Sequence, residues 1–192
     1  MKRIALLLVA MMVVGMVSAQ QHIEFKWHGF YVVAGYDYAT NLNNTSYNDK
    51  VAFSGVTAIG GFQIRKESGI GLGCSYMRDA TGAFSQLPVF VELRSHYLRS
   101  RLTPYSAVYA GYSIPLGSSS GGDEAIQIAS GGMTLGVNLG VRYAVTRKFG
   151  VNAYAGYQAL HMNRVDRKIG GERANAEPLL LHNLKFGVGL NF

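Results

Sequence analysis

Residues 133 to 145 place Met133, Leu135, Val137, Leu139, Val141, Tyr143 and Val145 on one parity, and Thr134, Gly136, Asn138, Gly140, Arg142 and Ala144 on the other. Successive side chains of a strand point to opposite faces, so this stretch makes a strand with one wholly apolar face and one small, polar or charged face. A helix would scatter the same residues around its circumference. The alternation recurs along the chain, and no helical period competes with it after residue 19. The residue supply agrees with sheet and turns: 24 Gly, 12 Tyr and 9 Phe against 4 Pro.

Read in this way, the 192 residues, enough for one domain, predict eight strands, at about 26–38, 51–66, 70–79, 87–99, 104–115, 132–146, 149–160 and 180–192. The connections alternate in length. Arg65 to Gly69, Ser100 to Thr103 and Thr146 to Lys148 are short; Ala39 to Lys50, Ala80 to Gln86, Leu116 to Gly131 and His161 to Leu179 are longer. In an antiparallel up-and-down order, all short turns then fall at one end and all long loops at the other, as in transmembrane barrels.

A weak repeat marks the strands that run toward the long loops: Val32-x-Ala34-x-Tyr36, Leu72-x-Cys74-x-Tyr76, Val108-x-Ala110-x-Tyr112 and Ala153-x-Ala155-x-Tyr157. Their four tyrosines predict one aromatic girdle, because the ring is apolar and the hydroxyl prefers the headgroup level. Phe62, Tyr97, Tyr143 and Phe192 have the same outward parity on the returning strands and predict the opposite girdle. A soluble sandwich also alternates, but it would have to bury aromatics at both ends of every strand and leave a Gly-rich face to water.

In lipid an unpaired backbone N–H or C=O costs several kcal/mol, so spanning strands must close into a barrel without an edge. Eight strands enclose only enough room for side chains. The inward parity includes Asp37, Glu92, Arg94, Arg142 and Lys185, which predict a polar network in the lumen, centred on Glu92 with Arg94 and Arg142. Buried charges persist only when paired and hydrogen-bonded. The inward glycines, among them Gly35, Gly71, Gly73, Gly111, Gly156 and Gly187, are expected to make room for long charged side chains.

Lys2 and Arg3 precede the apolar run Ile4 to Val17 and then Val17-Ser18-Ala19, the layout of an export signal cleaved after Ala19. The run is shorter than the ~20 residues of a spanning helix. Residues 1–19 are thus expected to be a signal peptide and 20–192 one barrel domain. Losing Lys2 and Arg3 lowers the formal net charge from +7 to +5, scattered along the chain and no argument for nucleic acid.

Cys74 is the only cysteine, so no internal disulfide forms, and its outward position between Leu72 and Tyr76 reads as a small lipid-facing hydrophobe. Gly69-Ile-Gly71-Leu-Gly73 lacks the spacing and following helix of a phosphate loop. The histidines, at 22, 28, 96, 161 and 182, have no ligand-spaced His or Cys partner, so no metal or other cofactor is expected. His161-Met162-Asn163 and His182-Asn183 are the local candidates for lipid A chemistry of the kind some small barrels perform, but neither precedes a serine nucleophile. No catalytic residues are assigned. Residues 161–178 are expected to form a solvated loop in which Arg164, Arg167 and Lys168 could contact lipopolysaccharide phosphates or another surface ligand.

The signal region Met1 to Ala19, the strand Leu87-Pro-Val-Phe-Val-Glu-Leu-Arg94, the Tyr105 to Tyr112 strand with Ala110-Gly111-Tyr112, and Lys185-Phe-Gly-Val-Gly-Leu-Asn-Phe192 resemble small outer-membrane β-barrel proteins of the OmpX and OmpA-barrel type. More closely, the chain is similar to the outer-membrane-protein β-barrel domain family, which includes PorT-like members. The resemblance spans essentially the whole mature chain and implies the outer membrane of a Gram-negative envelope, with insertion by assembly machinery that reads Phe192 as a terminal aromatic. No peptidoglycan-binding domain follows, so wall anchoring is not expected. The expected role is structural or recognition-type through four extracellular loops, without catalysis. The alternatives are a lipid A-modifying enzyme and an accessory barrel of a protein secretion system.

Overall fold

The computed structural model describes residues 29–42, 52–65, 67–80, 84–98, 100–118, 127–146, 148–167 and 173–192. The predicted signal, with its cleavage point at Ala19, lies outside them, as do His22, His28 and Lys168. The described elements are nine strands: β1 (Gly29–Asn41), β2 (Ala52–Gln63), β3 (Ser68–Asp79), β4 (Phe84–His96), β5 (Leu102–Ser118), β6 (Gln127–Ser130), β7 (Gly132–Ala144), β8 (Gly150–Arg167) and β9 (Arg173–Asn191). Short β6 and long β7 both pair with β8 and form successive parts of one stave, with a slip of register between them. Eight staves therefore close into an antiparallel barrel, because β9 pairs with both β8 and β1.

The register measures the tilt. From Tyr31, partner-to-partner steps through Gly61, Gly71, Glu92, Tyr109, Gly136, Gln158 and Asn183 return to β1 at Asn41, ten residues further along. With strands ~4.8 Å apart and ~3.3 Å per residue, a shear of ten over eight strands tilts them by about 40° and sets a backbone radius of about 8 Å. Such a barrel is filled by its own side chains.

The seam is held along its length. Val32 and Phe192 exchange both backbone hydrogen bonds, at 3.2 and 2.9 Å, and Leu42 N–H donates to the His182 carbonyl at 2.7 Å. Phe149 packs beside Phe192 with ring centroids 5.4 Å apart. The short turns need few residues: Ile64 and Arg65 N–H both donate to the Ser68 carbonyl, and Thr146 Oγ1 accepts from Phe149 N–H at 3.0 Å, a side-chain mimic of a backbone turn.

The barrel is inverted relative to a water-soluble domain. Among the described residues, buried polar or charged side chains outnumber buried apolar ones, while Leu, Val, Ile, Phe and Tyr cover the outside. That distribution suits a lipid-facing exterior.

Two connections differ from expectation. The predicted loop 161–178 is largely hairpin, because β8 runs to Arg167, β9 starts at Arg173, and Arg164 pairs with Glu177. Likewise β5 reaches Ser118 and β6 lies inside the predicted 116–131 loop. The cause is solvent. Above the bilayer both faces of a strand can meet water, so pairing continues without the apolar parity by which a strand is recognised.

Candidate functional site: the filled lumen and its girdles

Asp37, Glu92, Arg94, Arg142 and Lys185 all point into the barrel and are buried. Their parity puts them there, opposite the apolar residues on each strand. The charges gather in two tiers. In the upper one, nearer the long loops, Lys185 Nζ lies 2.9 Å from Asp37 Oδ2. The Thr57 hydroxyl donates to the same carboxylate, and Tyr154 donates to its other oxygen. Ser75 and Thr57 are 2.6 Å apart and extend the network to β3. The Lys185 ammonium also lies 5.3 Å from the Tyr109 ring centroid and 5.9 Å from that of Tyr154, within cation–π range.

In the lower tier, Arg94 Nε donates to Glu92 Oε1 at 2.9 Å, and Arg94 Nη1 reaches across to Asn191 Oδ1 at 3.4 Å. The guanidinium sits 4.8 Å over the Tyr105 ring, and His96 packs on the other side of Tyr105 at 5.8 Å. Two separate ion pairs thus stand where one network centred on Glu92 was expected. Arg142 enters the lumen from β7, beside Gly150. Beside both pairs, on the β1, β2, β4 and β5 side, Val33, Ile59, Phe90 and Tyr109 make an apolar cluster, with Tyr31 against it. At the loop end Ala39, Phe53 and Met77 fill one side, and the Gln86–Ser113 and Gln158–Thr134 hydrogen bonds occupy the other. The cavity beside Glu92 and Lys185 measures about 10 Å³, room for at most one water.

Aromatic residues of the lumen escape the sequence reading. The inward glycines were expected to accommodate charged chains; many instead seat rings. A Cβ at Gly61 or Gly71 would meet Tyr31, one at Gly73 would meet Phe90, one at Gly136 would meet Tyr109, and one at Gly187 would meet Tyr154. The signal was available: Tyr31, Tyr105, Tyr109 and Tyr154 carry the opposite parity to Tyr36, Tyr112 and Tyr157.

Tyr36, Tyr76, Tyr112 and Tyr157, and likewise Phe62, Tyr97, Tyr143 and Phe192, are exposed on the outer face. The ten-residue offset amounts to about 1.25 residues of height per strand, and on that scale the first four lie within about three residues of one level and the second four within about two. The levels are roughly 18 Å apart between Cα atoms, and ring lengths extend the apolar band toward the ~25 Å of an outer-membrane barrel. Phe30 joins the lower belt, and Tyr38 and Phe186 the upper. Tyr97 shares its hydroxyl with Ser106 at 2.7 Å, and Arg101 lies 5.8 Å over the Tyr143 ring, a cation anchoring that belt at the interface. Among the described residues no three His, Cys, Asp or Glu gather to hold a metal, and Cys74 is exposed on the outer wall.

Closed eight-stave topology, an apolar exterior with aromatic belts and a polar packed interior define a transmembrane β-barrel of the outer-membrane type. The chain belongs to the outer membrane protein beta-barrel domain family, whose model matches residues 6–192, and the protein is accordingly an outer-membrane protein embedded in that membrane's lipid. No curated protein matches its sequence significantly. Among solved structures it is similar to Neisserial surface protein A, at 20% identity and TM-score 0.59 over 85% of this chain and 97% of that one. It is also similar to OprG from Pseudomonas aeruginosa, at 12% identity and TM-score 0.62 over 88% and 99%. A third is AlkL in lipid bilayers, at 14% identity and TM-score 0.57 over 85% and 89%. At these identities the likeness is one of fold.

Proposed function

We propose that this barrel is non-catalytic and does not conduct, and that it serves as a structural or recognition element through its extracellular end. The observation that carries the reading is the lumen itself, occupied by two ion pairs and an apolar cluster beside them, with a cavity of about 10 Å³ where they meet. Contacts with anything other than lipid then fall to the loop end. There the β8–β9 hairpin supports it: β9 has its last β1 partner at Asn183, so residues 173–182 stand beyond β1, roughly 25 Å of raised wall at ~2.5 Å of axial rise per residue. Arg164 and Arg167 belong to the strand that builds this wall, and guanidinium groups suit lipopolysaccharide phosphate or an anionic surface ligand. Purified protein in planar bilayers is expected to show no stable large conductance; a steady open channel would end the filled-lumen reading.

Residues 1–19 act as a removed signal, and Phe192 serves the assembly machinery as well as the seam. Deleting Phe192 is expected to reduce the barrel recovered from outer membranes several-fold, while the fraction that inserts unfolds in urea within about 1 kcal/mol of wild type, the scale of one or two hydrogen bonds. The recovered wild-type barrel should have the mass of a chain beginning at Gln20. Normal recovery of the deletion variant would remove the assembly role.

A further inference from the structure

The outer wall is not uniformly convex. Across β4, β5, β7 and β8 runs an apolar groove of about 580 Å³, lined on its membrane side by Val, Leu, Ala and Tyr. It follows two adjacent register rows, from Leu93 and Val91 on β4 up to Tyr157 and Ala159 on β8. Because the strands tilt by about 40°, the rows climb diagonally, from mid-barrel to the upper tyrosine belt. Ala110 and Ala159 keep the floor low where larger side chains elsewhere fill the surface. At its upper end the groove meets a polar group that the filled lumen does not use. The Tyr157 hydroxyl pairs with His182 Nδ1, the two rings stack at 5.8 Å, and exposed His161 stands on β8 just above Ala159. With its Nδ1 engaged, His182 presents Nε2 as the ring's second polar atom.

We propose that the groove binds one outer-leaflet lipid A molecule, an acyl chain lying along the Leu93-to-Tyr157 diagonal and a phosphate resting at His182 and His161. The height decides the occupant. The groove occupies the loop-side half of the apolar band, and the long loops of an outer-membrane barrel are extracellular, so a chain in it descends from the outer leaflet. A second barrel would need a convex ridge to enter a concavity, whereas a flexible acyl chain conforms to it. The assignment rests on the outer-membrane orientation and not on the loop-based role, so either can fail alone.

The test is native mass spectrometry of the whole barrel released from micelles holding equimolar hexa-acyl lipid A and phosphatidylglycerol. Wild type should retain one lipid A. Ala110→Trp with Ala159→Trp, which fill the groove from outside, should lower retention at least about tenfold, because the acyl chain can no longer pack against the wall. His161→Ala with His182→Ala should lower it while leaving the groove's shape intact. Each variant must first show the mobility shift between unheated and boiled samples that marks a folded barrel; if the Trp pair does not, Ala110→Leu replaces it. Retention unchanged in folded groove-filling variants would overturn the proposal. So would preferential retention of phosphatidylglycerol, or a dimer that disappears with Ala110→Trp, which would make the occupant a second copy.

Discussion

Lys185→Met is expected to destabilise the inserted barrel by about 3–5 kcal/mol, the usual penalty for removing one member of a buried ion pair. Asp37 has no exposed surface. Without Lys185 its carboxylate keeps the Thr57 and Tyr154 hydroxyls, which can share hydrogen bonds but cannot balance a full charge. The loss falls on the seam, since Asp37 lies on β1 and Lys185 on β9, where Ala39 and Lys185 are register partners. Adding Asp37→Asn should restore most of the stability, because the amide keeps an acceptor for the hydroxyls and leaves no unpaired charge. Urea titration in phospholipid vesicles, read by mobility of unheated samples, checks both. A single mutant as stable as wild type would mean that Asp37 gains nothing from the ammonium. A double mutant no better than the single would mean that the Lys185 stem matters and its charge does not. Glu92 and Arg94 make the contrasting case: both belong to β4, so Arg94→Met strands a charge on one strand and takes from the seam only the long Asn191 contact.

Why the exterior and the inward charges were legible in the sequence, and the pairing of those charges and the interior aromatics were not, follows from what parity encodes. Alternation separates two faces, and a lipid-facing exterior forces one of them to be apolar throughout. Leu135, Val137 and Leu139 therefore announce their side without help. Asp37, Lys185, Glu92 and Arg94 follow by elimination, since charges on the other parity have nowhere to go but the lumen. Which charge meets which depends on register, and register is fixed by closure and shear, quantities of the whole ring. For the same reason Asp37 finds Lys185, 148 positions away in sequence, while Glu92 keeps its near neighbour Arg94. The tyrosines that fill the lumen were hidden because aromatics were all sought at the girdles, although Tyr109 and Tyr112 cannot share a face. The raised hairpin was hidden for the opposite reason. Arg164 to Arg167 read Arg-Val-Asp-Arg, with no alternation of apolar and polar residues to mark them as strand.

The glycine–tyrosine pairing carries the second large effect. Gly136 is the register partner of Tyr109, and a Cβ there would fall on the Tyr109 ring, with Cε1 only 2.6 Å away. The ring has little freedom to retreat. It packs on Phe90 at 5.1 Å, has the Lys185 ammonium 5.3 Å from its centroid, and is 5% exposed. The nearby cavity of about 10 Å³ leaves no space for the whole ring to move into. Gly136→Ala is therefore expected to destabilise by about 1–3 kcal/mol, the usual result of overpacking, and Gly136→Leu by more. Gly60→Leu is the control, because Gly60 faces outward and a Cβ there meets only the Phe30 ring at 3.6 Å; added apolar surface in lipid should leave stability within about 0.5 kcal/mol. Equal stability of Gly136→Leu and Gly60→Leu in the same urea titration would refute the socket. Combining Gly136→Leu with Tyr109→Ala separates volume from position. If the lumen requires a fixed amount of matter at this level, the pair should be more stable than Gly136→Leu alone, since the leucine then occupies the space the ring has left.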